Sequence, residues 1–292
     1  MALAESEAGL PQEYAAPTTL EAAARLAADG EATLLAGGTD LMLRAADGYG
    51  RRLVNLRRVG ELAGIEVGEK RVRLGALTTV SEILESDDLR STAPLLAETA
   101  DRFASPQIRN AATLGGNIAH ASPAADLVVP LLALDAEIEL AAWRDEAMST
   151  RRLPLAEAFT GPGATVFGAD EILTAVAFDR PPAGLVGGFL KSGPRPALEI
   201  AVVSAALTGV LRDGALHQVR IALGSVAPTP IRARGAEAVL EGQAPTPDTI
   251  DAVARAAAAE AAPIDDVRGS AWYRRHLVRV YLERLLGDVL PG

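Results

Sequence analysis

The sequence predicts an α+β protein, and three patterns indicate this class. Near the N-terminus, short apolar runs alternate with turns and amphipathic stretches, which is typical of a small parallel α/β unit. Farther along, polar and apolar residues alternate with a period of two, which favours antiparallel strands. The C-terminal end places apolar residues at helical spacing, so we expect the chain to end in helices.

The N-terminal unit is predicted to contain strands at residues 32–36 and 52–56, joined by a glycine turn and an amphipathic stretch at 41–46. A helix precedes the first strand. Thr18 and Glu21 have the spacing of a capping box, in which each side chain accepts a hydrogen bond from the other residue's backbone N–H. This order of elements predicts parallel pairing of the strands.

The middle segment is predicted to form antiparallel strands with helices packed on them. Residues 65–74 alternate in polarity around a turn and therefore indicate a hairpin. Thr79 and Glu82 have the spacing of a second capping box. Longer elements are expected as helices at 94–103 and 127–134, and as strands at 137–140 and 171–178.

A proline pair, Pro181–Pro182, predicts a domain boundary because proline interrupts regular structure. Beyond it we expect a three-stranded antiparallel sheet with strands at 188–191, 200–211 and 216–224, and helices at 250–262 and 273–286. Arg212–Gly214 has the composition of a hairpin turn. The expected domains are 1–180, with subdomains of about 1–58 and 59–180, and 183–292.

Composition excludes several classes of function. The chain of 292 residues has 28 Lys and Arg against 38 Asp and Glu, a net charge of −10, which argues against nucleic acid as a partner. It contains no Cys, which rules out disulfides, thiolate nucleophiles and Cys-ligated iron–sulfur clusters. No metal-binding motif surrounds its three His, so we predict no metal site and assign any redox chemistry to an organic cofactor.

No targeting or membrane segment is recognisable. The first residues lack the basic region and apolar core of a signal peptide. The longest apolar stretch, 200–211, is shorter than the roughly 20 residues of a membrane span. We therefore expect a cytoplasmic protein.

Two glycine pairs are the strongest candidates for a binding site. Ala36–Asp40 lies between a predicted strand and a predicted helix, and Thr113–Asn117 is followed by Ser122–Asp126. Glycine allows backbone N–H groups to approach a phosphate closely, and two such loops could hold one pyrophosphate. A tight turn explains each pair equally well on its own. Neither pair has the spacing of a Rossmann or Walker motif.

The amino-acid sequences of these segments resemble those of a known family. LLAGGTDL at 34–41 and SPQIRNAATLGGNIAHASPAADLVVPLLALDA at 105–136 are similar to the FAD-binding medium subunit of the molybdenum hydroxylases, which include xanthine dehydrogenases and carbon monoxide dehydrogenases. The resemblance continues through Asp170–Leu173, Lys191–Ala197 and Asp265–Arg274 and so covers nearly the whole chain.

The resemblance implies an FAD-binding fold of the PCMH type, like that of vanillyl-alcohol oxidase, and a C-terminal domain like that of carbon monoxide dehydrogenase flavoproteins. It implies noncovalent FAD, with no catalytic acid–base residue. The cofactor-binding positions that follow from it are Leu35, Ala36, Gly37, Gly38, Thr39, Asp40, Phe103, Thr113, Gly115, Gly116, Asn117, His120, Ser122, Asp126, Ile172, Leu173 and Lys191.

Within this set the resemblance implies distinct roles. The two glycine loops would hold the pyrophosphate, and Ser122 and Asp126 would bind ribityl and ribose hydroxyls. Phe103 would pack on the adenine, and Lys191 would lie near the pyrimidine end of the flavin. From the residues alone, Phe103, Ile172 and Leu173 also fit a plain core, Asp126 fits a helix N-cap, and Lys191 fits a solvated charge.

The same resemblance implies the function. Substrate would be oxidised at molybdopterin on a large partner subunit, and electrons would pass through two [2Fe–2S] clusters on a small subunit to FAD here, then to NAD, a quinone or O₂. The assembly would be a dimer of heterotrimers. A standalone flavoprotein oxidoreductase of the same fold is the alternative.

Overall fold

The N-terminal part of the chain forms a small parallel sheet, as predicted. The structure is a computed structural model, and it describes residues 10–43, 49–193, 195 and 199–289. The sheet has the order β1–β3–β2, and helix α1 leads into β2. Their bounds are β1 Glu13–Ala15, α1 Leu20–Ala27, β2 Ala32–Leu35 and β3 Arg52–Asn55. Of the stretch predicted at 41–46, residues 41–43 form one helical turn and the rest lies outside the described residues.

The start of α1 differs from the predicted capping box. The cap is Thr19, whose Oγ1 accepts the N–H of Ala22 at 3.2 Å. Glu21 pairs with Arg25 one turn later instead of bonding back to the cap. The N–H of Leu20 donates to Glu61, 41 residues away, at 3.0 Å. A tertiary contact therefore replaces the local bond that the sequence pattern predicted.

The middle of the chain forms a five-stranded antiparallel sheet of order β4–β5–β10–β6–β7. The predicted hairpin at 65–74 is its β4–β5 edge. A separate two-stranded ribbon, β8–β9, lies between β7 and β10 in sequence. The strands are β4 Ile65–Val67, β5 Arg71–Gly75, β6 Glu137–Arg144, β7 Ala147–Pro154, β8 Phe159–Gly161, β9 Ala164–Thr165 and β10 Ile172–Asp179.

Six short helices connect β5 to β6 and cover this sheet. The predicted capping box at the start of α2 is confirmed, with Thr79 and Glu82 bonding each other's backbone N–H. The apolar helix α7 forms in spite of Pro130, because that residue lies in its first turn, where no backbone donor is needed. The helices are α2 Val80–Glu85, α3 Asp87–Thr92, α4 Pro94–Asp101, α5 Pro106–Arg109, α6 Leu114–Ala119 and α7 Val128–Ala133.

The C-terminal part is an antiparallel sheet backed by helices, as predicted. It has four strands, not three, because a two-residue strand, β14, pairs with the end of β13. Helix α8 was also absent from the prediction. The elements are β11 Leu185–Ser192, β12 Val203–Arg212, β13 Ala215–Gly224, β14 Ile231–Arg232, α8 Arg234–Leu240, α9 Pro247–Glu260 and α10 Ala271–Gly287.

Three apolar clusters hold these parts together. The central cluster joins the five-stranded sheet and its helices to Phe189 and Ala206 of the C-terminal sheet. A second cluster lies between the C-terminal sheet and α8–α10, and a third lies between α1 and β3. Ile172 belongs to the third cluster and Leu173 to the central one. The first residues of β10 therefore lie where the N-terminal unit meets the rest of the protein.

A buried arginine fixes α10 to the C-terminal sheet. Arg274 is 2% exposed, and its Nη1 donates to the carbonyl oxygens of Val202 at 2.7 Å and Ser225 at 2.8 Å. Its Nη2 donates to Asp266 at 2.6 Å. Although partial burial acts to raise the pKa of Asp266, hydrogen bonds from Arg268 and Arg274 lower it from 3.8 to about 2.

This pairing predicts the effect of an Asp266→Asn substitution. The carboxylate stabilises the fold fully above pH 3.8, and this contribution is lost as the pH falls towards about 2. Removing one partner of a buried ion pair costs about 3 kcal/mol, so the variant should unfold more easily by that amount at neutral pH. Its unfolding free energy should also depend less on pH in the acid range. Urea unfolding at a series of pH values measures both effects.

Asp213→Asn is the matched control for this experiment. Asp213 is exposed in the β12–β13 turn with a φ of 50°, a conformation that asparagine adopts readily. We expect it to unfold like the parent chain. Equal stability of the Asp266 variant and this control at neutral pH would contradict the assigned role of Asp266.

Candidate functional site

A cleft of about 430 Å³ lies where the two glycine segments meet. We call residues 36–40 the first glycine loop and residues 113–117 the second glycine segment. Further parts of the wall come from several other elements, including the start of β10, the residues between β5 and α2, and Phe103. The residues that line the cleft are Leu34, Ala36, Gly37, Gly38, Thr39, Asp40, Leu41, Leu56, Leu62, Ala76, Leu77, Phe103, Ala112, Thr113, Gly115, Gly116, Asn117, Ala119, His120, Gly163, Ile172 and Leu173.

The first glycine loop packs directly against the backbone that precedes the second segment. A Cβ atom at Gly37 would lie 2.0 Å from the carbonyl oxygen of Ala111, so only glycine permits this approach. Gly38 has a φ of +74°, a conformation that favours glycine. Gly37 and Gly38 therefore allow the loop to adopt its conformation.

The second glycine segment is the capped start of α6. Oγ1 of Thr113 accepts the N–H of Gly116 at 3.1 Å. The N–H of Leu114 donates to Thr78, and that of Gly115 donates to Ala76 at 2.8 Å. These backbone donors are therefore engaged within the protein, and the segment presents mainly side chains to the cleft.

Backbone donors remain in the first glycine loop. Within the part of the chain that the structure describes, the N–H groups of Gly37, Gly38 and Thr39 have no hydrogen-bond partner. Across the cleft, Oδ1 of Asn117 is buried and has no partner among the described residues. Phosphate oxygens accept from such N–H groups, and a sugar hydroxyl donates to an amide oxygen. These groups suit a ligand that carries both, as FAD does.

An acidic and a basic side chain connect the two segments. Nε2 of His120 lies 3.4 Å from Oδ2 of Asp40. His120 is the C-cap residue of α6, and Asp40 ends the first glycine loop. The pair therefore spans the cleft next to the backbone donors.

The predicted apolar positions serve the core and the cleft together. Ile172 and Leu173 are almost completely buried in β10, yet both line the cleft. Phe103 packs against the central cluster and also lines the cleft. These three residues can therefore belong to the apolar core and line a cofactor site at the same time.

Four predicted residues do not line the cleft: Leu35, Ser122, Asp126 and Lys191. Leu35 ends β2 beneath the first glycine loop. Oγ of Ser122 accepts the N–H of Ala124 at 3.2 Å. The cofactor contacts of these residues remain predictions.

Asp126 and Lys191 bind each other. Nζ of Lys191 lies 2.6 Å from Oδ2 of Asp126 and donates to the carbonyl oxygen of Arg102 at 3.4 Å. The lysine side chain is only 2% exposed, so the solvated interpretation is wrong. Asp126 is not a helix N-cap, since α7 begins after Leu127 without a side-chain cap. Burial raises the pKa of Asp126, and Lys191 opposes that rise.

Sequence reasoning missed the apolar wall of the cleft. Its members are Leu34, Leu41, Leu56, Leu62, Ala76, Leu77, Ala112 and Ala119, together with Gly163. They come from separate elements and have no local pattern that distinguishes them from core residues. Only the resemblance to relatives with a known cleft could have indicated them.

Two features are absent from residues 10–43, 49–193, 195 and 199–289. No group of three or more His, Asp or Glu side chains in these ranges could hold a metal ion. No helix in them is both long enough and apolar enough to cross a membrane.

Comparison with known proteins gives consistent matches. Residues 9–180 match the model of the FAD binding domain in molybdopterin dehydrogenase, and residues 189–289 match that of the CO dehydrogenase flavoprotein C-terminal domain. The xanthine dehydrogenase FAD-binding subunit of Escherichia coli O157:H7 is 33% identical over 285 residues, which cover 96% of each chain. The carbon monoxide dehydrogenase medium chain of Hydrogenophaga pseudoflava is 32% identical over 94% of this chain and 95% of its own length.

A solved structure gives the same result. Carbon monoxide dehydrogenase from Hydrogenophaga pseudoflava, in a form that lacks the Mo-pyranopterin moiety, matches with a TM-score of 0.91 and 31% identity, over 96% of this chain and 98% of that one. The matches extend over both glycine segments and the C-terminal sheet. This chain therefore belongs to the FAD-binding medium subunits of the xanthine and carbon monoxide dehydrogenase family of molybdenum hydroxylases, with FAD as its cofactor.

Proposed function

We propose that this chain is the electron-transfer subunit of a heteromeric molybdenum hydroxylase. It receives electrons from two [2Fe–2S] clusters on a small partner and delivers them to NAD, a quinone or O₂. A large partner with molybdopterin oxidises the substrate. The observation that carries this proposal is the cleft between the glycine segments, whose lining residues include three with unpartnered backbone donors, among the described residues, and one with a buried, unpartnered amide oxygen.

The residues of the cleft would bind and orient the cofactor. The N–H groups of Gly37, Gly38 and Thr39 would hold the pyrophosphate, and Asn117 would accept from a hydroxyl. The apolar wall would exclude water from the bound rings. When bound, FAD supplies one-electron and two-electron redox chemistry, so the protein contributes binding, orientation and electrostatics.

Asp126 and Lys191 would act from behind the cleft. Lys191 donates to the carbonyl oxygen of Arg102, which directly precedes Phe103 in the cleft wall. The ion pair would thereby hold Phe103 in place for the adenine. The resemblance implies instead that Asp126 binds a ribose hydroxyl and that Lys191 lies near the flavin, whereas in this structure the two side chains bind each other.

The assembly and location follow the same proposal. Relatives named as medium chains support a complex with a large and a small partner. We propose a dimer of heterotrimers in the cytoplasm, as the family resemblance implies.

Purification of the native complex tests the function. We expect an absorption spectrum with flavin bands, about one FAD per copy of this chain, and complete release of the flavin on acid precipitation because the binding is noncovalent. Iron–sulfur and molybdenum signals should co-purify on separate chains. A chain that runs alone and oxidises a substrate directly would support the standalone flavoprotein instead. The absence of flavin from an intact complex would contradict both.

A Gly37→Ala substitution tests the cleft. The added Cβ would meet the Ala111 carbonyl oxygen at 2.0 Å, so the first glycine loop must move away from α6. Overpacking of this kind costs about 1–3 kcal/mol. We expect the affinity for FAD to fall more than tenfold, as measured by quenching of flavin fluorescence.

Gly60→Ala is the matched control, because a Cβ at Gly60 would meet no atom within 4 Å. It should bind FAD like the parent chain. Normal FAD affinity in the Gly37 variant would show that the position of the first glycine loop does not determine binding.

A third variant separates binding from packing. Asn117→Ala removes the unpartnered amide oxygen and leaves the backbone contacts of both glycine segments intact. We expect FAD affinity to fall about tenfold, the value of one good hydrogen bond, with little change in thermal stability. Unchanged FAD affinity would place the ligand's hydroxyl groups elsewhere.

A further inference from the structure

The cleft has little positive charge for the ligand that it is proposed to bind. The pyrophosphate of FAD is an anion, and Asp40 adds a carboxylate at the rim. Among the described residues that line the cleft there is no Lys or Arg. Backbone N–H groups compensate part of an anionic charge, but each is only a partial charge. A cationic side chain beside them would strengthen binding of the pyrophosphate.

Two nearby cations are engaged behind the wall. Lys191 binds Asp126 and the carbonyl oxygen of Arg102. Nη1 of Arg109 donates to the carbonyl oxygens of Asp101 at 3.0 Å and Phe103 at 3.1 Å. Both cations therefore support the segment before Phe103 and do not line the cleft.

His120 is the lining side chain that can become positive near neutral pH. Two observations describe its surroundings: Oδ2 of Asp40 lies 3.4 Å from its Nε2, and His120 is the C-cap of α6, beside helix carbonyl groups. A carboxylate and a helix C-terminus both interact favourably with a cation. Among the described residues that line the cleft, the titratable side chains are Asp40 and His120.

We propose that the imidazolium of His120 adds positive charge beside the bound FAD, so that binding of FAD is coupled to uptake of a proton at this residue. The inference rests on the proposed function, since it takes FAD as the ligand of the cleft. His120 contacts Asp40, which directly follows Thr39 in the first glycine loop. Asp40 is then the residue that positions the imidazolium.

The sign of the pH dependence follows from linkage. An anion bound next to His120 holds the proton of the imidazolium more tightly. Binding of FAD therefore favours protonation of His120, and protonation of His120 favours binding of FAD. Raising the pH through the range in which histidine titrates removes the proton and weakens FAD binding. Where one proton is taken up per FAD, Kd rises up to about tenfold per pH unit.

Calorimetric titration of the flavin-free full chain with FAD tests this coupling. Measurements in two buffers of different ionisation enthalpy, over about pH 6 to 8.5 where histidine titrates, count the protons taken up. We expect uptake and a rising Kd in the parent chain. His120→Gln should take up no proton and show a flat Kd. Its affinity should equal that of the parent at high pH and be at least tenfold weaker at low pH.

His217→Gln is the matched control. His217 lies on β13, with Nδ1 3.7 Å from Glu241, and it does not line the cleft. This variant should keep the proton uptake and the pH dependence of the parent. Asp40→Asn should retain the coupling but shift it to lower pH, because the carboxylate no longer favours the imidazolium.

The outcomes separate this inference from the proposed function. If the parent chain binds no FAD at any pH, the proposed function fails, and the inference fails with it. If the parent binds FAD with a flat Kd, or if His120→Gln takes up the same proton, the cleft binds FAD without a charged His120. Thermal unfolding of each variant confirms that a changed affinity does not come from misfolding.

Discussion

The close approach of two backbone segments at Gly37 is the constraint on which the cleft depends. A side chain there would overlap the carbonyl oxygen of Ala111, and one at Gly115 would come within 2.7 Å of Ala76. The first contact fixes the first glycine loop against the backbone before α6, and the second fixes the start of α6 against the residues between β5 and α2. The N–H groups of one segment and the side chains of the other therefore face the same space. The glycines create the site by allowing this packing, and the free donors of the first loop are its consequence.

A second interaction connects the C-terminal sheet to the site. Lys191 on β11 reaches Asp126, which precedes α7, and also the carbonyl oxygen before Phe103. A buried ion pair is costly to break because it leaves an uncompensated charge. The pair therefore ties the position of the cleft wall to the C-terminal part of the molecule. The C-terminal part would therefore support the cleft wall, although Lys191 does not line the cleft.

The distribution of charge fits a subunit whose chemistry belongs to its cofactor. The chain has no cysteine for iron–sulfur ligation, and the cleft lining contains one histidine and one carboxylate as its only titratable groups among the described residues. Such a site can bind a flavin and tune its electrostatic environment. The electrostatic environment then depends on few groups, and this is why the protonation of His120 has a large expected effect.

The sequence alone predicted the parallel N-terminal unit, the hairpin at 65–74, the C-terminal strands and the last two helices, because alternating and helical periodicities are local properties. Its two glycine segments, through their resemblance to a family, also identified the candidate cleft. Strand β14 and helix α8 were missed because they are short and their formation depends on packing.

Tertiary structure decided how individual groups are used. It replaced a predicted capping box at α1 by a bond to Glu61, engaged the backbone donors of the second glycine segment, and paired Asp126 with a lysine 65 residues away. It also assembled the apolar wall from separate elements. Sequence patterns record the periodicity and turn chemistry of neighbouring residues, whereas hydrogen-bond partners, burial and charge compensation depend on which distant segments the fold brings together.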